Sequence, residues 1–328
     1  MKVDVTEYEK VYTFQLEKVT QLCGQNIIKK TYILDSLRKY FSTFKYSEEK
    51  NKWRDNVKIN NEMVGRKFFT LLSFNGISEM LTMIKLSKQS LMTEYIKNLM
   101  QKFNYQTHLN TIYDELEKIF QMLNIEINNI GEVELTFAES DLWEMVQKSD
   151  IIGSKEILLE NKDNYEVILI LLNLIEEVIK NNPRKILVIL ENIDHLISRK
   201  EYADIITRLL EMGNRYDIYF ILSTSIEGYV SCSNLLCQGI SIFGSIDFQM
   251  PKFEKIAEFI SDNYPYNKNI SIMQLQNSLN KIIHKIGQND FLYSIEENVI
   301  CKLINQSLMI EGKWEETETM AEINYLKS

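Results

Sequence analysis

Gly24-Gln25-Asn26-Ile27-Ile28-Lys29-Lys30-Thr31 follows an apolar run and precedes a helical pattern. A phosphate-binding P-loop sits at such a junction and reads Gly, four residues, then Gly-Lys-Ser/Thr. Gly24, Lys30 and Thr31 take the places of the first glycine, the lysine and the hydroxyl, but Lys29 stands at the second glycine. The loop wraps phosphates with backbone N–H groups, which demands conformations and close approaches that a Cβ resists. The stretch therefore reads as a nucleotide site that has lost its nucleotide.

The other half of such a site is a buried strand ending in an acid. Lys185 to Leu190 is a continuous β-rich apolar run of the kind a parallel sheet covers on both faces. Glu191 ends it where an NTPase holds magnesium, and Asn192 follows where a water-activating Glu belongs. An amide takes no proton from water, so Asn192 is no general base. Two altered halves of one site point to a P-loop scaffold put to another use; a strand followed by a polar turn explains each half alone.

Outward from these two stretches, residues 11–23 alternate like a strand and Thr31 to Phe44 has helical spacing. Ser47 to Lys67 is polar and basic around Trp53, and Phe68 to Phe74 reads as a buried strand. From Ile77 to Leu123 the apolar spacing of three and four predicts two packed helices. Glu132 to Phe137 reads as a short strand. Val167 to Ile179 reads as a buried helix ended by Pro183, and Ser198 to Glu201 as a capping box for a helix stopping at Gly213. Tyr219 to Ser223 and Ile240 to Phe248 complete the strands, the second as an edge. From Pro251 onward the chain is helical, with a second capping box from Ser294 to Glu297. The order is that of an α/β fold around a mostly parallel sheet. The expected architecture is a degenerate P-loop head. Residues 1–75 and 183–250 form its two parts, 76–182 are inserted as a helical leg, and 251–328 are a helical extension.

With 328 residues and 45% hydrophobic composition the chain can bury a sizeable core. No apolar run approaches the ~20 residues of a membrane span, so a cytoplasmic protein is expected. Cys23, Cys232, Cys237 and Cys301 lack Cys-x-x-Cys spacing, and with only His108, His195 and His284 no zinc cluster can be built. Buried reduced thiols are expected, and Cys232 and Cys237, separated by four residues, leave a redox pair open.

The net charge is −9, unevenly spread. Residues 29–113 hold 15 Lys and Arg against 7 Asp and Glu, a net of +8, whereas residues 114–328 hold 19 against 35, a net of −16. Such asymmetry points to a basic surface on an acidic body, although solvated lysine faces are common on helices. On charge alone Lys29, Lys52, Arg54, Lys58, Arg66, Lys67, Lys85 and Lys88 are the candidate duplex contacts. Glu134, Glu139 and Asp141 are clustered oxygens suited to calcium; an acidic first turn that favours the helix dipole is the simpler reading of them.

In the order of the degenerate loop from Gly24 to Thr31, the basic segment, the helical insertion, the acidic junction near Glu134 and the strand from Ile186 to Asn192, the chain resembles the longer variety of the accessory adaptation protein of type II-A CRISPR systems. The resemblance covers residues 1 to about 250. It implies a fold similar to ABC- and SMC-type ATPases without their activity, and a homotetrameric ring that binds calcium. It also implies a basic hole that threads double-stranded DNA ends, and a part in spacer acquisition for antiviral defence. The implied partners are the spacer integrase and the RNA-guided effector nuclease. Two rivals remain. A working ABC-type ATPase, or one with residual nucleotide binding, would need a Leu-Ser-Gly-Gly-Gln signature that the sequence lacks. A protein–protein scaffold would not touch DNA.

Overall fold

A computed structural model describes residues 1–42, 55–129, 135, 146, 149, 151–152, 158–265, 270–288 and 294–310. All of the expected strand at 132–137 except residue 135 lies outside them. The chain divides into two units, one of residues 1–76 and 184–328, the other of residues 77–183.

The first unit is built on a six-stranded sheet ordered β5 (Thr70–Phe74), β6 (Ile186–Glu191), β7 (Ile218–Ser223), β3 (Val19–Cys23), β8 (Ile240–Phe243) and β9 (Asp247–Gln249). All neighbours are parallel except the β8–β9 pair. β6 lies inside the sheet, and its five residues from Ile186 to Leu190 are all buried, which is why the run is apolar without alternation. Parallel neighbours need long crossovers, and between β6 and β7 the helix α6 (Arg199–Arg215) supplies one, whereas α1 (Ile27–Phe41) leads from β3 out of the sheet to β4 (Val57–Ile59). A three-stranded antiparallel sheet, β2 (Lys10–Gln15), β1 (Lys2–Glu7) and β4 (Val57–Ile59), belongs to the same unit. The alternation over residues 11–23 is therefore two strands in two sheets. The period of two holds through Tyr12, Phe14 and Leu16 and stops at Glu17-Lys18, where Glu17 N–H donates to Thr20 Oγ1 at 3.0 Å and turns the chain.

Successive residues of a strand face opposite ways. On β3, Leu22 joins a core with α1, the small sheet and Phe69. Cys23 joins another with Ile240, Ile242 and the apolar faces of α7 (Phe253–Asn263), α8 (Ile272–Ile282) and α9 (Ile295–Ser307). The C-terminal helices are thus a layer of the first unit. Capping boxes at Ser271–Gln274 and Ser294–Glu297 start α8 and α9.

In the second unit the region from Ile77 breaks into three helices, α2 (Ile77–Ile84), α3 (Leu91–Met100) and α4 (Phe103–Ile127), not two. Ser90 stops the continuous pattern because its hydroxyl accepts from Thr93 N–H as an N-cap. α2 and α3 pack on α5 (Asn164–Asn181), whose Val167, Ile168, Leu171, Leu172 and Ile175 are buried. α4 has no buried residue, and Phe103 and Ile125 on it are exposed.

The helix α6 (Arg199–Arg215) follows β6 and opens with the Ser198–Glu201 capping box. It runs past Gly213, where the sequence pattern had placed its end; a Cβ there would lie 2.9 Å from Lys18 Cβ, so Gly213 serves a close approach rather than a cap. The stretch 240–248 is the hairpin of β8 and β9, with β9 alone at the edge.

Gly24 links β3 to α1 with φ +90°, and a Cβ there would meet Phe243 O at 2.3 Å. Gly24→Ala should destabilise the protein by at least about 2 kcal/mol, through strained backbone and a displaced β8. Urea unfolding measures this; an unchanged midpoint would mean β8 yields without cost.

Candidate functional site

In open α/β sheets ligands bind beyond the carboxyl ends of the strands. There β3, β7 and β6 present the residues singled out above. α1 begins at Ile27, four residues earlier than its apolar spacing indicated, because Asn26 caps it by accepting from Lys29 N–H at 3.0 Å. The loop is only Gly24, Gln25 and Asn26. Two amides at this junction already have partners: Asn26 N–H donates to Phe243 O at 3.1 Å and Ile27 N–H to Gln25 O at 2.9 Å. A phosphate cradle needs such amides free and converging.

The early helix start also decides where the side chains of Lys30 and Thr31 go. Lys30 is 1% exposed, and its ammonium donates to Thr224 O at 2.6 Å and to Ser225 Oγ at 3.0 Å. Thr31, one residue further round the helix, is exposed. Burial lowers the Lys30 pKa, opposed by Cys23 and Asp194. Asp194 is itself buried, its Oδ2 accepting from the backbone N–H of Ser225 at 2.6 Å and of Ile226 at 2.9 Å. The turn after β7 is therefore gripped by a cation through its carbonyl and by a carboxylate through its amides.

Glu191, at the end of β6, pairs with Arg38 of α1, which also donates to Ser73 Oγ at 2.6 Å and to Asp35 at 2.9 Å. Asn192 adopts φ +56°, a left-handed conformation that asparagine tolerates. Its Nδ2 donates to Asn75 Oδ1 at 2.7 Å, tying the ends of β6 and β5. Lys30 and Glu191 are thus each bound to partners within the fold, and Gly24 packs against β8. Thr31 faces solvent.

The C-terminal layer closes on the same strand ends. His284 lies 3.3 Å from Thr224 Oγ1 through Nε2, Lys285 pairs with Glu227 at 2.8 Å, and Ser245 Oγ donates to Gly287 O at 2.9 Å. The contacts of Arg38, Asp194, Thr224 and His284 went unread in the sequence. The signal for His284 was a lone polar ring among Ile282, Ile283 and Ile286, all buried.

Of the candidate duplex contacts, Lys29 pairs with Asp247 at 2.7 Å and donates to Gly244 O at 3.1 Å, so its charge is neutralised within the head. Lys58 is exposed on β4, Lys67 is exposed and Arg66 half-buried. In the second unit Lys85 and Lys88 are exposed, Lys85 pairing with Glu160. Lys52, Arg54, Glu134, Glu139 and Asp141 lie outside the described residues. Among the described residues no group of three or more His, Cys, Asp or Glu is placed to hold a metal, and no helix is long and apolar enough to cross a membrane.

Burial, reinforced by the Lys30 ammonium, pulls the His284 pKa from 6.5 to about 4, and its Nδ1 is buried without a hydrogen-bond partner. The folded state thus holds this ring neutral. As pH falls from 6.5 towards 4 the unfolded chain gains a proton that the folded chain refuses, and stability drops by up to about 3 kcal/mol. Unfolding midpoints taken from pH 7 to 5, above most carboxylate titrations, should fall less steeply in His284→Gln than in the parent. Parallel curves would mean the ring is protonated in the folded state.

Comparison with known proteins follows from this geometry. No curated protein matches the chain. Among solved structures it is similar to Stu0660 of Streptococcus thermophilus, with a TM-score of 0.89 and 22% identity over 100% of this chain and 99% of that one. That likeness establishes the fold. cbiO1 from Clostridium perfringens, part of the ABC transporter complex cbiONQ, aligns at a TM-score of 0.39 and 13% identity over 80% of this chain and 95% of that one. At that score it carries no argument. The model of the CRISPR-associated protein Csn2, subfamily St, matches residues 5–319, and the chain belongs to that family.

Proposed function

We propose that this Csn2 chain is a non-catalytic protein that binds double-stranded DNA ends as a homotetrameric ring and assists spacer acquisition. Its partners in this reading are the spacer integrase and the RNA-guided effector nuclease, and it acts in the cytoplasm. One observation carries the non-catalytic half: the Lys30 ammonium is buried against Thr224 O and Ser225 Oγ while Arg38 neutralises Glu191. Phosphoryl transfer depends on a lysine and a metal-holding carboxylate directed at the nucleotide. Here both are consumed by internal partners, which supports reading the head as a degenerate P-loop.

The DNA half rests on the family and on charge. Residues 29–113 carry a net of +8 in a chain of −9. A duplex approaching the acidic remainder meets repulsion, so the basic stretch is where phosphates are favoured, and a ring of subunits would enclose it. Contacts of this kind are to the backbone and independent of sequence. Calcium, bound by Glu134, Glu139 and Asp141, would stabilise the assembly.

The test is binding to linear and closed-circular duplex across a salt series, with ATP turnover followed in parallel. Linear duplex should bind, with a slope of log K on log salt of about −0.9 per phosphate neutralised. Lys52, Arg54 and Lys58 replaced by Glu should flatten that slope and weaken every duplex alike, whereas Lys252→Glu with Lys255→Glu on α7 should change little. ATP turnover should not exceed that of Lys30→Ala. Absent binding would leave a protein–protein scaffold; turnover above the control would restore the ATPase. Calcium should raise the melting temperature relative to a chelator, since it binds the native state alone. Coincident melting curves would reduce the three carboxylates to a helix start.

A further inference from the structure

The strand-end contacts leave unused a feature beside them. Cys232 and Cys237 are both free and both buried, and their sulfurs lie 3.2 Å apart. The turn between them explains the contact. Leu236 N–H and Cys237 N–H both donate to Ser233 O, at 3.1 and 2.9 Å, folding residue 237 back onto 232. A disulfide needs its sulfurs at roughly 2.05 Å, about an ångström closer, a change that small side-chain rotations supply. The other two cysteines are placed differently. Cys23 Sγ lies 3.8 Å from Thr224 Oγ1, and Cys301 belongs to the core on α9.

We propose that Cys232 and Cys237 are a redox modification site, forming a reversible intramolecular disulfide when the protein meets a peroxide. One thiolate attacks a peroxide oxygen; the S–O bond forms, the O–O bond breaks and hydroxide leaves to take up a proton as water. The second sulfur then attacks the resulting sulfenic sulfur; the S–S bond forms, the S–O bond breaks and a second water leaves with the remaining proton. Two thiols lose two electrons and the peroxide gains them.

The location gives the bond a structural consequence. Cys232 N–H donates to Asn280 Oδ1 of α8 at 2.7 Å, and neighbouring Ser231 exchanges two 2.8 Å hydrogen bonds with Gln21 of β3. Cys237 opens the short turn that leads into β8. Oxidation would lock the segment that joins the C-terminal layer to the central strands. Contact with Cys237 and burial push the Cys232 thiol well above its ordinary range, so thiolate is scarce and the first step is slow. The second step is fast because the partner sulfur is already in contact.

The full chain, equilibrated in glutathione buffers of increasing oxidation and separately exposed to hydrogen peroxide, is quenched, denatured in the presence of alkylating agent so that every remaining thiol is reached, and digested without reduction. The peptide holding both cysteines should become unalkylated, lighter by about 2 Da than its dithiol, and should return with dithiothreitol. Cys23 and Cys301 should stay alkylatable, and Cys232→Ala and Cys237→Ala should each abolish the product. Equilibration in the buffers removes slow access as an explanation. A pair still reduced in the most oxidising one, a product that spares the pair and consumes Cys23 or Cys301, or cross-linked chains in its place would each overturn the proposal.

Discussion

A single buried ammonium holds the centre of the first unit together. Lys30 comes from the helix after β3, and its acceptors come from the turn after β7, so one charge joins the two strands that lie side by side in the sheet. A buried cation is tolerated only when hydrogen-bonded and compensated, and here the carbonyl of Thr224 and the nearby Asp194 do that. Once the charge is placed there, it is withdrawn from any phosphate. The C-terminal layer then completes the enclosure from the other side, with His284 against the same threonine.

The parts of the fold readable from sequence are those where burial forces composition. β5, β6 and β7 are covered on both faces or nearly so, and their apolar runs announce it. The capping boxes at Ser198 and Ser294 are local chemistry and were equally plain. The small sheet was not, because β4 has only three residues and its register comes from β1, more than fifty residues away. The start of α1 was misjudged because apolar spacing marks the face of a helix and not its first turn. Asn26 set that turn, and with it the opposite fates of Lys30 and Thr31.

The candidate site was half legible for a related reason. A motif lists residue types at spacings, so it located Gly24, Lys30 and Glu191. It is silent about which way a side chain leaves a helix, and about partners brought in by tertiary contact. Arg38 lies eight residues beyond Lys30 on the same helix, yet it pairs with an acid 153 positions downstream. Lys29 likewise reads as free positive charge in the sequence, but β9 supplies Asp247 as its partner. Charge counting over a long segment is robust, whereas the assignment of any one lysine to a surface is not.

The order of strands has a bearing on how the chain is made. β3 is complete within the first two dozen residues, yet its neighbours are β7 and β8; Val19 pairs with Phe220 and Gln21 with Ile240. Both edges of β3 therefore wait about 200 residues for their partners, on the order of 10–40 s at usual rates of synthesis. Pairings so distant in sequence are slow to form because loop closure precedes any gain. The segment Val19-Thr20-Gln21-Leu22-Cys23, fully buried in the finished protein, has neither sheet neighbour during that interval. The nascent chain, rather than the folded one, is where this protein is most exposed to aggregation.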